Sequence, residues 1–349
     1  MLNGMLKSIN SDFVVFESLA IPQSTVGNVS SYTYLTLSKA GYTTFDAIEI
    51  LAEELQICVN DIGYAGLKDE DALTEQTISV RGIINWDIAN QLSARFHVTP
   101  AEYIHVVFRG YGTKPIGIGE LYGNCFRIVV RNLTKDVAYA LGNERKKSAL
   151  FLNYYDTQRF GIPNFPKLTH KIGKHLVDNN YDSAFQLLKE SGTYEGNMAI
   201  DYAGPAKDFF DSLDGRKQTF YRNSFSSFRW NNDLQNIVMK TGNTSVRRFD
   251  QESITYVFCD DRSVLTDLLN GTPKLKYHRY AISGAHSIAV VESSRPTVIQ
   301  TIVEVNDVAR DELNNGKWRC SLNFFLPSGC YATMLVKQLL INFVGNSGL

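Results

Sequence analysis

The segment 66–76 gathers side chains that could carry out acid–base chemistry. Lys68 and Asp69 are adjacent, Thr74 and Gln76 follow two positions apart, and strand-like residues stand on both sides. A carboxylate held on a tight turn between strands can act as a base or a nucleophile without a metal ion. An acidic turn is also typical of a solvated loop, and the residues alone favour that plainer interpretation.

The pattern Gly-Leu-Lys-Asp-x-x-Ala-x-Thr-x-Gln over residues 66–76 resembles the signature of the TruD family of pseudouridine synthases. Further segments resemble the other motifs of the family, in its order and at compatible spacing. They are residues 12–15 with Glu17, 119–126, 153–161 and 325–333, with Lys7 at the position of the family's lysine. The resemblance spans residues 7–333, although 162–310 are only loosely similar.

The resemblance implies a pseudouridine synthase catalytic domain that an insertion domain interrupts. We expect residues 1–154 and 311–349 to form the catalytic domain and residues 155–310 to form a TruD-type insertion. The patterns of strands and helices themselves alternate without a regular βαβ rhythm. They therefore favour an α/β (α+β) fold with a mixed, antiparallel-rich sheet over a doubly wound one.

The family reaction breaks the N-glycosidic bond of uridine, turns the freed uracil and rejoins it through carbon. The resemblance implies that Asp69 is the catalytic carboxylate. Glu70 and Asp71 carry the same kind of side chain and could play the same role on chemical grounds. Only the order of residues within the motif selects Asp69. The neighbouring charge of Lys68 or of Lys7 would favour the ionised form of Asp69. Neither a cofactor nor a metal ion is required by this chemistry.

A base that leaves its stack needs a pocket with aromatic faces and polar groups for its edge. The resemblance implies that such contacts come from six residues: Lys7, Phe13, Lys68, Asn124, Phe126 and Tyr331. Phe126 matches the stacking aromatic of the family, and Tyr331 stands where the family usually has Phe. From the residues alone, each aromatic could also be a plain core residue, and Asn124 could be a turn residue. Gln158 and Arg159 could either structure the junction between domains or touch RNA.

Several elements must position these residues. Thr43 or Thr44 can cap a helix whose apolar positions share one face: Phe45, Ile48, Leu51, Ala52 and Leu55. Alternation over residues 124–131 predicts a strand that places Asn124 and Phe126 on the same face. Strands are also predicted over 12–17, 32–37, 104–108 and 319–325, and a helix over 332–343.

Composition describes an ordinary globular chain of 349 residues with a net charge of −1 and an isoelectric point near 6.6. An RNA-binding protein of this net charge must concentrate its Lys and Arg locally. Two segments do so, 109–131 and 157–177. The Cys residues are scattered and odd in number, which favours buried free thiols in a reducing cytoplasm. No apolar run is long enough for a membrane span, and residues 1–12 lack the apolar segment of a signal peptide.

We therefore expect a cytoplasmic, monomeric, cofactor-free tRNA pseudouridine synthase that needs no metal and no membrane, with uridine 13 of tRNA as its target. The alternative is a non-catalytic RNA-binding or RNA-folding module that has kept the same fold. Retention of Lys68, Asp69, Thr74 and Gln76 together argues against the alternative, because a binding relic would be free to lose the carboxylate.

Overall fold

The computed structural model describes residues 6–21, 31–82, 99, 102–242, 245–283 and 287–343. The chain forms two compact units, and each combines two separate stretches of sequence. Unit 1 comprises residues 1–148 with 301–329, and unit 2 comprises residues 149–300 with 330–349. The predicted boundaries of the catalytic and insertion domains remain a prediction.

A mixed sheet forms the framework of unit 1. Its strands are β1 (Phe13–Ser18), β2 (Tyr32–Ala40), β3 (Ile62–Tyr64), β4 (Leu73–Arg81), β5 (Tyr103–Gly112), β6 (Gly123–Leu133), β7 (Lys146–Leu152), β12 (Val298–Arg310) and β13 (Trp318–Pro327). The order across the sheet is β5-β2-β4-β1-β6-β13-β12-β7, and β3 pairs with β4. β7 and β12 run through the points where the chain passes from one unit to the other.

Antiparallel pairing dominates this sheet. β1 and β4 run parallel, whereas β1–β6, β6–β13, β12–β13, β2–β4, β2–β5 and β3–β4 are antiparallel. The predicted mixed, antiparallel-rich fold is therefore confirmed. The parallel pair matters for the site, because it sets β1 beside the strand that follows Asp69.

Helix α1 (Thr44–Leu55) packs on one face of strands β2, β4 and β5. Thr43 is its N-cap: the Thr43 hydroxyl accepts a hydrogen bond from the Asp46 amide, and the Asp46 carboxylate accepts one from the Thr43 amide. The helix ends at Leu55, and the following C-cap residue, Gln56, adopts a left-handed conformation. The predicted inward position of Phe45 is wrong. This side chain is 50% exposed, and its ring contacts Tyr64 edge-on.

Unit 1 contains one further described helix, α2 (Lys135–Gly142), which Thr134 caps. Unit 2 is mainly helical, with two small hairpins. Its helices are α3 (Thr169–Val177), α4 (Tyr181–Lys189), α5 (Tyr194–Ile200), α6 (Ala206–Ser212), α7 (Gly215–Lys240), α8 (Arg262–Gly271) and α9 (Ala332–Leu340), and its hairpins are β8 (Val246–Gln251) with β9 (Ile254–Cys259) and β10 (Lys274–Ser283) with β11 (Ser287–Pro296).

The core of unit 2 gathers apolar side chains of α3 to α7. At Gly173 in α3, any Cβ would collide with the backbone of Tyr221 in α7, so only Gly permits this close helix contact. The predicted C-terminal helix is confirmed as α9, although its last turn, Ile341–Phe343, tightens to a 3-10 helix. No helix in the described part of the chain is long and apolar enough to cross a membrane.

All five Cys residues are free, as predicted, but not all are buried. Cys58 and Cys125 are exposed, Cys330 is partly exposed, and Cys259 and Cys320 are buried. Cys125 is exposed because β6 alternates. Its even-numbered neighbours Asn124 and Phe126 occupy the opposite face.

Candidate active site

Asp69 lies on the loop that joins β3 to β4, as the sequence predicts. Its side chain is 41% exposed, and Oδ2 accepts a hydrogen bond from Lys7 Nζ at 2.6 Å. The same ammonium sits 4.6 Å from the ring centre of Phe13, in a cation–π contact. Among the described residues, none donates a hydrogen bond to Asp69 Oδ1. The structure therefore brings Asp69, Lys7 and Phe13 together and leaves one carboxylate oxygen open.

Lys7 holds this position at a conformational cost. Its φ of 56° lies in the left-handed region that side chains other than Gly seldom adopt. Residues held in such conformations often mark functional sites, because the surrounding structure must maintain them. The rivals Glu70 and Asp71 are exposed on the same loop.

The Lys68 ammonium does not pair with the Asp69 carboxylate. Its ammonium forms a 2.5 Å ion pair with Glu17 Oε2, and the side chains of Lys68 and Glu17 are 6% and 0% exposed. Glu17 Oε1 accepts a further hydrogen bond from the Thr77 amide at 3.2 Å. Of the two lysines expected near the carboxylate, Lys7 is thus the one in contact. Lys68 instead joins the loop between β3 and β4 to strand β1.

Two buried polar side chains, those of Thr44 and Gln76, hold the loop between β3 and β4 through hydrogen bonds to its main chain. The Thr44 hydroxyl accepts a hydrogen bond from the Lys68 amide at 2.9 Å. The Gln76 amide group donates to the Gly66 carbonyl at 3.1 Å, and its oxygen accepts from the Thr44 hydroxyl at 3.3 Å. The prediction that either Thr43 or Thr44 caps α1 is settled in favour of Thr43, which leaves the Thr44 hydroxyl for the loop.

Sequence reasoning missed a third anchor. Lys39 in β2 is fully buried, and its ammonium donates to the carbonyl oxygens of Tyr42, Lys68 and Asp69 at 2.8, 3.2 and 2.9 Å. A signal was present, because Leu35, Leu37 and Lys39 alternate along one strand face and the first two are buried. A lysine that continues a buried face requires an explanation.

The predicted base-binding residues of β1 and β6 share one face of the sheet. Val15 pairs directly with both Thr74 and Phe126, and Glu17 pairs with Asn124. Gly123 permits this arrangement, since a Cβ there would stand 2.1 Å from the carbonyl oxygen of Leu326 in β13. The predicted alternation of residues 124–131 is confirmed.

Phe126 is 8% exposed and packs between two other aromatic rings. It stacks on Phe324 with ring centres 5.4 Å apart, and it meets Phe13 edge-on with ring centres 6.0 Å apart. Phe13 and Phe126 therefore form one aromatic cluster next to Lys7. The role of Phe126 as a platform for a base stays a prediction.

Two buried polar atoms on this face have no hydrogen-bond partner within the described ranges. They are the hydroxyl oxygen of Thr74 and Oδ1 of Asn124. Buried polar atoms are normally paired, so two unpaired oxygen atoms beside the aromatic cluster are candidate contacts for a polar ligand.

Tyr331 belongs to unit 2, where it is the residue that precedes α9. Its ring contacts Tyr155 edge-on with centres 6.2 Å apart. Burial raises the pKa of Tyr331 to about 12, although the charges of Arg159 and Arg295 oppose this shift. The hydroxyl is therefore neutral at physiological pH and able to donate a hydrogen bond.

The motif over residues 153–161 organises unit 2 internally. Arg295 donates to the carbonyl and side-chain oxygens of Asn153, and its guanidinium lies 3.9 Å from the ring centre of Tyr155. Arg159 packs on Phe220. Gln158 is exposed.

Asp156 in the same motif is buried and forms a 2.6 Å ion pair with Lys337 of α9, and Thr333 also donates to it. Burial alone would raise the pKa of Asp156, but the charge and hydrogen bond of Lys337, together with hydrogen bonds from Thr333 and the Thr157 amide, outweigh burial and lower it. The buried pair thus fixes α9 to the segment 153–161.

The Lys and Arg side chains of the two basic segments are less exposed than the composition of these segments predicts. Lys167 is buried and donates to the carbonyls of Gly161 and Ile162. Lys171 is exposed, and Lys174 pairs with Asp178. The Lys167 ammonium, in the middle of the second basic segment, is therefore bound within unit 2 and not open to solvent.

Arg131 in the other basic segment is also buried, in an ion-pair network with three acids from distant parts of unit 1: Asp12, Asp311 and Glu312. Burial would raise the pKa of Asp311, but hydrogen bonds from the Asn132 amide, Arg131 and nearby groups lower it to about 2. This network stabilises the sheet and leaves Arg131 unavailable to RNA.

In the part of the chain that the structure describes, no cluster of His, Cys, Asp and Glu side chains could hold a metal ion. The fold itself is that of a pseudouridine synthase. The crystal structure of the "Putative tRNA pseudouridine synthase D (TruD)" from Methanosarcina mazei superposes with a TM-score of 0.58 at 19% identity, covering 97% of this chain and 93% of that one.

Sequence comparison identifies the family. The family described as tRNA pseudouridine synthase D (TruD) matches residues 1–200. The "Probable tRNA pseudouridine synthase D 1" of Methanococcus maripaludis is 26% identical over 398 residues, covering 95% of this chain and 97% of that protein. The tRNA pseudouridine synthase D of Leptospira interrogans is 23% identical over 402 residues, covering 96% of each chain. The chain belongs to the TruD family and is an isomerase of the pseudouridine synthase class.

Proposed function

We propose that this enzyme converts uridine 13 of tRNA to pseudouridine, with Asp69 as its catalytic carboxylate. One observation carries the proposal. The half-exposed Asp69 carboxylate is paired with Lys7 on a loop between strands, inside the segment that resembles the family's signature. The names of the M. maripaludis and L. interrogans relatives support tRNA as the substrate. The resemblance to the family supports position 13.

The reaction is an isomerisation, so its atoms balance without a co-reactant. The N1–C1′ bond of uridine breaks, the uracil turns, C5 bonds to C1′, and the proton on C5 is lost while N1 gains one. Asp69 can add to C1′ as a nucleophile, or it can remove and return a ribose proton. Both routes need an ionised carboxylate with an oxygen open to the ribose.

Lys7 has two roles in this proposal. Its ammonium keeps a positive charge 2.6 Å from Oδ2 of Asp69, which favours the carboxylate form. As the glycosidic bond breaks, negative charge develops on the uracil, and a fixed ammonium nearby stabilises that charge. Lys68 contributes indirectly, because its pair with Glu17 holds the loop that carries Asp69.

The detached uracil is held by groups on one face of the sheet. Phe13 and Phe126 supply apolar ring surface, and the unpaired oxygen atoms of Thr74 and Asn124 accept hydrogen bonds from the base edge. Tyr331 remains a proposed substrate contact through the resemblance of its motif. We also retain the proposed catalytic domain of residues 1–154 and 311–349 around an insertion of residues 155–310.

The test is to incubate the protein with unmodified tRNA and to map pseudouridine at single-nucleotide resolution. We expect one new pseudouridine at position 13 and none in a tRNA that carries cytidine there. Asp69→Asn should abolish turnover while tRNA binding persists, because it removes charge at constant shape. Asp71→Asn, an exposed neighbour on the same loop, is the matched control and should stay active.

The outcomes separate the two functions considered. Tight tRNA binding by the wild-type protein without any pseudouridine would support the non-catalytic RNA-binding alternative. Substantial turnover by the Asp69→Asn variant would keep the reaction but reject Asp69 as its carboxylate. Modification at another position would reject only the choice of uridine.

A further inference from the structure

Lys39 is the most unusual buried charge in unit 1. It is fully buried at the end of β2, on the strand face that also carries Leu35 and Leu37. Its Nζ atom donates hydrogen bonds to three carbonyl oxygens, those of Tyr42, Lys68 and Asp69. Among the described residues, no carboxylate forms an ion pair with it. Burying an ammonium without a counter-charge is unfavourable, so we expect Lys39 to have a role that compensates for this cost.

Two of the three carbonyls that Lys39 binds flank the Cα atom of Asp69, and this position indicates the role of Lys39. The Lys68 carbonyl belongs to the peptide unit before the Cα atom of Asp69, and the Asp69 carbonyl belongs to the unit after it. Each peptide unit is planar, so fixing both carbonyls fixes the two backbone torsions of Asp69. The direction of the Cα–Cβ bond, and with it the aim of the carboxylate, follows from those torsions.

A neutral side chain could not replace this arrangement. An ammonium has three donor hydrogens, and here three carbonyl oxygens lie within 3.2 Å of it. Thr44 and Gln76 hold the amide of Lys68 and the carbonyl of Gly66, which lie earlier in the loop. The Thr44 hydroxyl also reaches the Lys68 carbonyl, at a longer 3.4 Å, but Lys39 holds the carbonyls on both sides of Asp69.

We propose that Lys39 is a positioning residue that aims the Asp69 carboxylate at the ribose through the main chain of the catalytic loop. The inference rests on the proposed function of Asp69, but its geometric part concerns the loop alone. Lys39 touches neither the substrate nor the carboxylate, so it acts through Asp69. Its loss should lower the rate of the chemical step and leave tRNA binding unchanged.

The charge of Lys39 also gives this positioning a dependence on pH. Burial lowers the pKa of Lys39 to about 8, while the charges of Asp69 and Glu70 on the loop, and of Asp46 in α1, oppose the shift and that of Lys68 adds to it. Loss of the proton leaves two donor hydrogens for three carbonyls. The loop should therefore be held below about pH 8 and loosen above it.

The experiment compares Lys39→Met and Lys39→Gln with Lys146→Met, an exposed lysine of unit 1, as the matched control. Lys39→Gln keeps a short polar group and guards against failure of the Met variant to fold. Single-turnover rates and tRNA dissociation constants are measured across the pH range, below the melting temperature of every variant. Hydrogen exchange of the amides of residues 66–72 is followed in the absence of RNA.

We expect both Lys39 variants to lose about ten- to a hundredfold in single-turnover rate, the usual effect of a small misplacement of a reacting group, with dissociation constants within about twofold of the wild type. The wild-type rate should fall above about pH 8, and this fall should be absent from the variants. Amides 66–72 should exchange faster in the Lys39 variants than in Lys146→Met.

Wild-type rates in either Lys39 variant, or a loss confined to tRNA binding, would overturn the inference. So would unchanged exchange of the loop amides. A wild-type protein that forms no pseudouridine would reject the proposed function instead. In that case the exchange data still decide whether Lys39 holds the loop, so the two failures are distinguishable.

Discussion

Replacing Glu17 by Gln should destabilise the protein far more than the same change at Glu75, although the two residues lie on neighbouring parallel strands. Glu17 is fully buried and pairs with Lys68 at 2.5 Å, and the Lys68 side chain is 6% exposed. Glu75 pairs with Arg109 at 3.4 Å, and these side chains are 38% and 49% exposed. The chemical change is identical, so the environment alone sets the difference.

The expected magnitudes follow from burial. Removing one partner of a buried pair leaves an uncompensated charge and typically costs about 3–5 kcal/mol in free energy of unfolding. An exposed pair is worth about 0–1 kcal/mol. The Gln side chain at position 17 can still accept from the Thr77 amide or from Lys68, which places our expectation for Glu17→Gln near the lower end, about 3 kcal/mol.

Urea unfolding at neutral pH, followed by tryptophan fluorescence and by circular dichroism, measures the two free energies. A double variant, Glu17→Leu with Lys68→Met, removes both charges and should recover most of the lost stability, because neither charge is then buried alone. If Glu17→Gln destabilises no more than Glu75→Gln, the pair is not buried as described, and the account of how Lys68 holds the loop fails.

Three further changes test other parts of the molecule. Lys337→Met should lower the free energy of unfolding by about 3–5 kcal/mol in urea, because Asp156 is left buried without its counter-charge. The pKa of Asp311 is lowered to about 2, so its contribution to stability is complete above an unfolded value of about 3.9 and is lost as pH falls towards 2. Asp311→Asn should therefore lose stability less steeply than the wild type in acid titrations of the melting temperature. Tyr331→Phe should keep most activity, whereas Tyr331→Ala should lose about 1–3 kcal/mol of binding or turnover if the ring contacts a base; activity lost only in step with melting temperature would assign it to packing.

The sequence was sufficient where local patterns decide the structure. Alternation in residues 124–131 placed Asn124 and Phe126 on one face, and the spacing of Ile48, Leu51 and Ala52 defined the buried side of α1. These elements depend on neighbours two to four positions away, which a sequence displays directly. The motif resemblance added the family, which periodicity could not have supplied.

The partners and the burial of charged side chains were harder to predict from the sequence. Arg131 pairs with Asp12, 119 positions away, and so it is buried although its segment is rich in Lys and Arg. Lys167 binds carbonyl oxygens, for which no residue type is a marker. A charge in a sequence shows neither its partner nor its burial, since both depend on contacts made only when the chain folds.

The three lysines around the loop that carries Asp69 show how one residue type can make three different kinds of contact. Lys7, with a side chain 24% exposed, faces Asp69 itself, whereas Lys68 is bound to Glu17 and Lys39 to main-chain carbonyls. Replacing Lys7 by Met should therefore cost little stability, about 0–1 kcal/mol, because the pair with Asp69 is partly exposed. Its effect should appear in the rate, since the proposed mechanism uses the charge of Lys7 to stabilise the departing uracil.

The Met variants at positions 7, 39 and 68 can be compared in one experiment that measures both the free energy of unfolding and the single-turnover rate. Lys7→Met should lower the rate at nearly unchanged stability, and Lys68→Met should lower stability, because Glu17 is left buried alone. Lys39→Met should lower the rate and speed exchange of the loop amides. Equal losses of stability in all three variants would show that the lysines share one structural task, and the separate roles assigned to them would have to be abandoned.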